Sequence, residues 1–210
     1  MISVSEARAL YGGADAVHDF DHVLRVLQLA ERIGQAEGAD LSVVRTAALL
    51  HDAGREQAEA AGADHAAVAA DRAQAILEDH PPSAVAAVVH AIAAHRFRTG
   101  PEPSTLEAQV VFDADKLDAI GAIGVARAYA YGGAHGQRLW APVESVDLDR
   151  WKTEGDDPQA HTPVHEYVVK LSRIKDRLFT PTGRRIASAR HDTMVTFFDR
   201  LSREVLGIDR

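Results

Sequence analysis

Cysteine is absent from this 210-residue chain, which excludes disulfides and thiolate metal sites. His, Asp and Glu therefore remain as the strong metal-ligand types. Aromatic residues are also scarce, at 6%, whereas 46% of the residues are hydrophobic and many of these are alanine. Clusters of Val, Ile and Thr are short and few, so the composition favours closely packed helices over strands. We therefore expect an all-α protein.

The chain also lacks any block of five or six basic residues, and its formal net charge is -8. An acidic surface repels nucleic-acid backbones, so we expect small anions rather than nucleic acid as partners. No segment approaches the roughly 20 apolar residues that cross a bilayer, which argues against a membrane partner. The start, MISVSEARALYGG, has neither the basic nor the apolar region of a signal peptide. A cytoplasmic location is the expectation.

Hydrophobic periodicity predicts a series of helices and no internal repeat. The predicted helices are Asp19–Gln35, Leu41–Ala53, Asp64–Leu77, Ser83 to about Phe97, Thr105 to about Tyr131, His165–Phe179 and Gly183–Leu206. We interpret residues 1–210 as one helical domain with additional C-terminal helices. Its parts would be a metal-binding core at about 19–132, a long ordered loop or lid at 133–161, and helices at 162–210 that complete a cleft.

Two histidines fall on the apolar stripes of predicted helices. His22 shares a stripe with Val26 and Ile33, and His51 continues the stripe of the next helix. Asp52 lies about 100° further round that helix. The neighbours His51 and Asp52 can therefore bind one ion only where the ion lies near the helix end.

A third segment, VVFDADKLDAIGA, places Asp113, Asp115 and Asp118 among apolar residues. So many carboxylates on a core-facing helix require a cation or solvent as compensation. Two imidazoles and two carboxylates suit Mn²⁺, Fe²⁺, Ni²⁺, Co²⁺ or Zn²⁺, and Mg²⁺ is less favoured. Taken singly, each polar residue could be a hydrogen-bonded core residue or a polar helix end, but their combination favours a metal site.

The order His22, His51-Asp52, Asp115 resembles the HD-domain metal-dependent phosphohydrolase superfamily. The segments GADLSVVRTAALLHDAG and DADKLDAIGAIGVAR are similar to its small stand-alone bacterial YedJ-like branch, and the similarity runs from about Asp19 to Leu206. The resemblance implies a single HD-domain helical bundle with one divalent ion on those four residues. Manganese is the preferred ion, and a second metal is less favoured.

The resemblance also selects among the aspartates. The family's ligand directly precedes the basic residue of a D-x-D-[KR] element, here Lys116, which selects Asp115 over Asp113. In two-metal HD branches such as the HD-GYP phosphodiesterases, the positions of His65 and His95 supply extra ligands. Because AHRFRTGPEP lacks the GYP element, contacts of these histidines with phosphate or water are favoured over a second metal.

The resemblance implies a metal-dependent phosphohydrolase acting on a nucleotide or similar small phosphate ester, including nucleoside triphosphate pyrophosphohydrolysis, through attack of metal-activated water on phosphorus. Asp118, His65 and His95 are the catalytic candidates, with His95 also considered as a cationic imidazolium. The candidates for substrate binding are Lys116, Lys170, Lys175 and Arg190. The alternatives are a non-hydrolytic nucleotide or signalling-phosphate sensor and an HD-type di-iron oxygenase. The sequence is also compatible with a homo-oligomer.

Overall fold

The computed structural model describes residues 1–12, 20–96, 100–143 and 161–208, and no strand occurs among them, which confirms the all-α prediction. The helices are α1 (Val4–Arg8), α2 (Phe20–Glu37), α3 (Leu41–Leu50), α4 (Arg55–Ala60), α5 (His65–Ile76), α6 (Pro82–Ala93), α7 (Leu106–Asp118), α8 (Gly121–Ala134), α9 (Pro163–Val169), a 3₁₀ helix (Leu171–Arg177) and α10 (Pro181–Leu206). Within these described ranges, no helix has both the length and the hydropathy needed to cross a bilayer.

The chain forms two compact units. The first unit contains Met1–Lys116 and Leu178–Gly183, and the second contains Leu117–Arg177 and Arg184–Arg210. In the first unit α3 packs on α2 and α6, and α5 packs on α6. The single-domain organisation over residues 1–210 stays a prediction.

The core of the first unit follows the predicted apolar stripes. Val26, Ala30 and Ile33 of α2 are fully buried. Gly38 ends α2 with a φ of +80°, a conformation that an L side chain rarely adopts. Asp40 then caps α3 by accepting hydrogen bonds from two backbone N–H groups. Both boundary residues were among those that the sequence pattern indicates.

The predicted end of the second helix was wrong by three residues. α3 ends at Leu50, residues 51–54 form a turn, and α4 begins at once with Arg55. Gly54 has a φ of +93°, and the Arg72 side chain lies where a Cβ would stand. Glycine can adopt this conformation, whereas an L side chain rarely does. Because of the turn, His51 and Asp52 lie just beyond the regular helix.

The prediction of one helix from Thr105 to about Tyr131 was also wrong, because α7 and α8 are separate. Gly121 has a φ of +79°, which ends the regular helical path. The Arg190 side chain packs so closely on Gly121 that a Cβ there would lie 2.9 Å from Cγ. Small and apolar residues continue through this junction, in the segment LDAIGAIGVA, so periodicity alone does not reveal the break.

The second unit departs from the pattern near its middle. The predicted helix His165–Phe179 is instead α9, which Thr162 caps, followed by the 3₁₀ helix. Part of the predicted loop or lid at 133–161 is helical, since α8 extends to Ala134. Residues 144–160 of that segment lie outside the described residues. The loop or lid therefore stays a prediction.

Candidate metal centre

His22 enters the site from the first turns of α2. Its side chain is 2% exposed, because it follows the same stripe as the buried core residues of that helix. The Nε2 atoms of His22 and His51 lie 3.3 Å apart. Two ring nitrogens at this distance share either a proton or a cation.

The orientation of His51 is fixed by the end of α3. Its Nδ1 lies 2.8 Å from the carbonyl oxygen of Ala48, which can only accept, so Nδ1 carries the hydrogen. Nε2 of the neutral ring is then the basic nitrogen. The arrangement matches the common device in which a backbone carbonyl sets the tautomer of a metal-binding histidine.

Two carboxylates complete the first group of potential ligands. Asp52 Oδ2 lies 3.9 Å from His22 Nε2 and 3.8 Å from His51 Nε2. Asp115 Oδ1 lies 3.5 Å and 4.0 Å from the same two nitrogens. Metal–ligand bonds of about 2.1 Å place adjacent ligand atoms about 3.0–3.4 Å apart. His22, His51 and Asp52 form a group that could hold a divalent ion, and Asp115 Oδ1 lies within 4.0 Å of both imidazole nitrogens of that group.

The two neighbouring aspartates of α7 have different surroundings. Asp113 is fully buried and accepts from the backbone N–H groups of Phe179 and Thr180, at 2.9 and 2.8 Å, and from the Thr180 hydroxyl at 2.7 Å. Asp115 instead pairs with Lys116 through Oδ2 at 2.5 Å and turns Oδ1 toward the two histidines. Asp113 anchors the chain before α10, whereas Asp115 lies in the cluster.

Asp52 faces a second pair of histidines with its other oxygen. Oδ1 lies 3.8 Å from Nε2 of both His65 and His95. This oxygen is buried and has no hydrogen-bond partner among the described residues. His95 Nδ1 lies 2.6 Å from the carbonyl oxygen of Ile92 and donates to it, which again leaves Nε2 as the basic nitrogen. A buried acceptor without a donor is the environment that a cation or water would satisfy.

The local charges keep both carboxylates ionised. Burial favours a raised pKa for Asp52, but the neighbouring His51 and the charge of Arg55 outweigh it and hold the pKa far below its usual range. Burial opposes ionisation of Asp115 too, and the neighbouring Lys116 keeps its pKa well below normal. Burial lowers the pKa of His95 to about 3, so this ring is neutral at physiological pH. In this environment His95 is suited to accept a proton at Nε2, and its role as an imidazolium toward a substrate stays a prediction.

Asp118 and Arg190 lie in the second unit, near the end of α7. Asp118 is 1% exposed and accepts from Arg127 at 2.9 Å. Arg190 donates to the carbonyl oxygen of Leu117. Both contacts satisfy polar groups at a helix terminus. The catalytic role of Asp118 and the substrate-binding role of Arg190 stay predictions.

The remaining two cations predicted to bind substrate also belong to the second unit. Lys170 donates to Glu166 at 2.7 Å. Burial opposes ionisation of Glu166, but its bond to His161 and the charge of Lys170 lower its pKa to about 2. Lys175 lies on the 3₁₀ helix, and its charge contributes to the lowered pKa of His191 after burial. Their roles toward a substrate also stay predictions.

Sequence reasoning missed two residues that touch the cluster region. Arg55, directly after the HDAG segment, donates to Asp52 Oδ2 at 3.0 Å, and its position in the sequence was a usable signal. Tyr11 donates to the carbonyl oxygen of Leu49 at 2.9 Å and meets Phe20 edge-on at 5.3 Å between ring centroids. The local sequence around Tyr11 has no pattern that predicts these contacts.

Comparisons with known proteins show which family the chain resembles. The HD domain family profile matches residues 19–120. The chain is 35% identical over 196 residues to the uncharacterized protein YpgQ of Bacillus subtilis. The aligned region covers 91% of this chain and 86% of YpgQ. A crystal structure of YpgQ in complex with ADP superposes with a TM-score of 0.71 at 30% identity, covering 99% of this chain and 100% of that one.

Two further solved structures are similar over nearly the whole chain. A protein of Lactobacillus plantarum has a TM-score of 0.76 at 29% identity, with 97% of this chain and 95% of that chain covered. An HD-superfamily hydrolase of Bacillus thuringiensis has a TM-score of 0.71 at 27% identity, with 96% and 93% covered. The similarity therefore extends over the full fold and is not confined to the residues of the cluster.

Proposed function

Because the chain belongs to the HD-domain superfamily, we propose that it is a metal-dependent phosphohydrolase acting on a nucleotide or similar small phosphate ester. The observation that supports the proposal is that Asp52 and Asp115 each place an oxygen within 4.0 Å of the Nε2 atoms of both His22 and His51. The hydrolase among the similar structures supports the reaction class. The ADP complex of YpgQ supports a nucleotide as the ligand.

His22, His51, Asp52 and Asp115 would hold one divalent ion, and this mixture of nitrogen and oxygen ligands suits Mn²⁺, Fe²⁺, Ni²⁺, Co²⁺ or Zn²⁺. Manganese is the ion that we propose. When bound, such an ion supplies a Lewis acid for phosphoryl oxygens and lowers the pKa of water. The backbone bond of His51 keeps its basic nitrogen directed at that position. The carboxylates stay ionised across physiological pH, so they bind the cation without first losing a proton.

Lys116 and the second histidine pair would act on the substrate. Lys116 is 13% exposed and already lies beside Asp115, so its ammonium can neutralise an oxygen of a phosphoryl group. Neutral His95 can accept a proton at Nε2, and His65, which is 17% exposed, can contact phosphate or water. A nucleoside triphosphate cleaved to monophosphate and pyrophosphate is the specific form of the reaction that we propose.

The direct test is turnover by the purified, manganese-loaded protein. Nucleoside mono-, di- and triphosphates, cyclic nucleotides and sugar phosphates are offered, and phosphate and pyrophosphate are measured separately. We expect release from at least one nucleotide, and its loss in His51→Ala. The matched control is His135→Ala, which removes an exposed histidine that donates to the Tyr131 carbonyl oxygen. Tight nucleotide binding without turnover would replace the proposal with a sensor.

The second histidine pair favours one alternative, an HD-type di-iron oxygenase. His65 and His95 lie around Asp52 Oδ1, so Asp52 could bridge two ions. Metal analysis of the protein as isolated separates the two functions. Two irons per chain, with oxygen consumption and no phosphate release, would favour the oxygenase, whereas one divalent ion with phosphate release would favour the hydrolase.

A further inference from the structure

A short piece of the first unit comes from a distant part of the sequence. Leu178–Gly183 belongs to this unit, whereas Arg177 and Arg184, which flank it in the chain, belong to the second unit. We call Leu178–Gly183 the inserted segment. Its residues Thr180 and Thr182 are almost completely buried. The inserted segment is therefore part of the packed interior of the unit that carries the candidate metal centre.

Asp113 of α7 binds the inserted segment through both of its carboxylate oxygens. Oδ1 accepts from the Phe179 N–H at 2.9 Å, and Oδ2 accepts from the Thr180 N–H at 2.8 Å and the Thr180 hydroxyl at 2.7 Å. The same hydroxyl accepts from the Gly183 N–H at 2.9 Å and so caps the start of α10. A Cβ at Gly183 would overlap Asp113 Oδ2, so only glycine allows this close approach.

An aromatic contact joins the inserted segment to the charged residues of α7. The Phe179 ring meets Phe112 edge-on, with 5.1 Å between the ring centroids. The Lys116 ammonium lies 5.4 Å from the Phe112 centroid and 2.5 Å from Asp115 Oδ2. The inserted segment thus packs against the ring that supports Lys116, and Lys116 pairs with the predicted metal ligand Asp115.

Asp113 and Asp115 leave α7 in nearly opposite directions. Two residues correspond to about 200° around a helix, so Asp113 is bonded on the side away from the candidate metal centre. A carboxylate about 6 Å from the helix axis moves by about 1 Å when the helix turns by about 10°. A metal site tolerates displacements of only about 0.5 Å in its ligands. The bonds of Asp113 therefore restrict the rotation that would move Asp115 away from His22 and His51.

From this arrangement we propose that Asp113 is a positioning residue for Asp115, and that the inserted segment and the bound ion stabilise each other. The inference rests on the metal site of the proposed function and adds a supporting element to it. A buried carboxylate is costly, and an uncharged anchor would join the two chain segments at lower cost. The carboxylate accepts three charge-assisted bonds at once, which fixes the orientation of α7 as well as its position.

The first test titrates Mn²⁺ into two variants of Thr180 by calorimetry, at a temperature at which both are fully folded. Thr180→Val keeps the shape of the side chain and removes the hydroxyl, so we expect about tenfold weaker Mn²⁺ binding, as for other residues that orient metal ligands. Thr180→Ser keeps the hydroxyl and should bind Mn²⁺ like the wild type. If Thr180→Val unfolds at a lower temperature but binds Mn²⁺ as tightly as Thr180→Ser, the inference fails.

Gly183→Ala provides a second variant, which keeps every polar group and forces the inserted segment away from Asp113 by adding a Cβ. Its matched control is Gly133→Ala on α8, because no described atom lies within 4 Å of a Cβ at that position. We expect weaker Mn²⁺ binding in Gly183→Ala alone. Equal affinities of the two variants would contradict the inference.

Hydrogen exchange tests the reciprocal effect without a substitution, because coupling between a segment and a ligand acts in both directions. Saturating Mn²⁺ should slow the exchange of the Phe179 and Thr180 amides, which donate to Asp113, more than that of amides within α8. Equal slowing in both regions would show only a general gain in stability and would overturn the coupling. Neither test measures phosphate release, so a wild type that binds Mn²⁺ without turnover contradicts the phosphohydrolase alone.

Discussion

Buried or partly buried carboxylates occur in both units of this protein, and their surroundings differ. In the second unit, Asp118 and Glu166 each accept from a protein cation at 2.9 and 2.7 Å, so the charge is neutralised directly. In the first unit, Asp52 and Asp115 also pair with a cation, Arg55 at 3.0 Å and Lys116 at 2.5 Å. Each of them in addition has an oxygen within 3.5–4.0 Å of two imidazole nitrogens. A closed ion pair such as that of Asp118 stabilises a fold, whereas the open group of carboxylates and imidazoles offers several ligand atoms to one ion.

The largest effect should come from removing a residue of the open group. Asp52→Ala removes the carboxylate that faces all four histidines, and we expect bound metal and phosphate release to be lost together, by at least a hundredfold in kcat/KM. Elemental analysis and steady-state kinetics measure both. If the metal-free variant still released phosphate, the open group of the first unit would not act by holding an ion.

A variant of the ion pair between Arg127 and Asp118 should lower stability and leave metal content unchanged. Arg127→Met leaves the buried Asp118 without its arginine and should lower the free energy of unfolding by about 3 kcal/mol. Metal content should remain that of the wild type. Denaturant unfolding and metal analysis test the two halves of this prediction, and loss of metal at unchanged stability would assign Asp118 to the chemistry.

The pH dependence of stability should reveal the pair of Glu166 and Lys170. The pKa of Glu166 falls from 4.5 to about 2 on folding, so its stabilisation is fully present above pH 4.5 and declines as the pH approaches 2. Unfolding free energies of the wild type and Glu166→Gln should therefore converge over that interval. A constant difference between pH 6 and pH 2 would show that Glu166 acts through packing rather than charge.

The smallest effect concerns Tyr11, which bonds to the last turn of α3. Tyr11→Phe removes the hydroxyl that donates to Leu49 and keeps the ring against Phe20. We expect a loss of about 1 kcal/mol in stability and a few-fold weaker manganese affinity, because the turn carrying His51 and Asp52 is less fixed. Calorimetric titration with Mn²⁺ measures the affinity, and an unchanged value would limit Tyr11 to a structural role.

Much of the helical pattern was predictable because it depends on local periodicity. The stripe through His22 and the cap at Asp40 are visible in consecutive residues. The break at Gly121 was not predictable, since it depends on close packing against Arg190, a residue 69 positions away in the numbering. The same limit explains why α9 and the 3₁₀ helix were taken for one longer helix.

For the candidate site, spacing identified buried histidines and an excess of carboxylates, but it did not distinguish Asp113 from Asp115. That choice came from the family resemblance, and the structure gives Asp113 a separate set of hydrogen bonds. The bond of Arg96 to Asp64, the residue before His65, was not predictable either, because a contact between residues 32 positions apart has no signature in one sequence.

The bonds of Asp113 also bear on the order in which the protein is made. A ribosome must add more than sixty residues after Asp113 before Phe179 and Thr180 exist to donate to it, and Thr182 then donates to Glu37 of α2. Until that moment α7 lacks its final anchor. We therefore expect the nascent chain to acquire the capacity to retain metal only after its last long helix has begun to emerge.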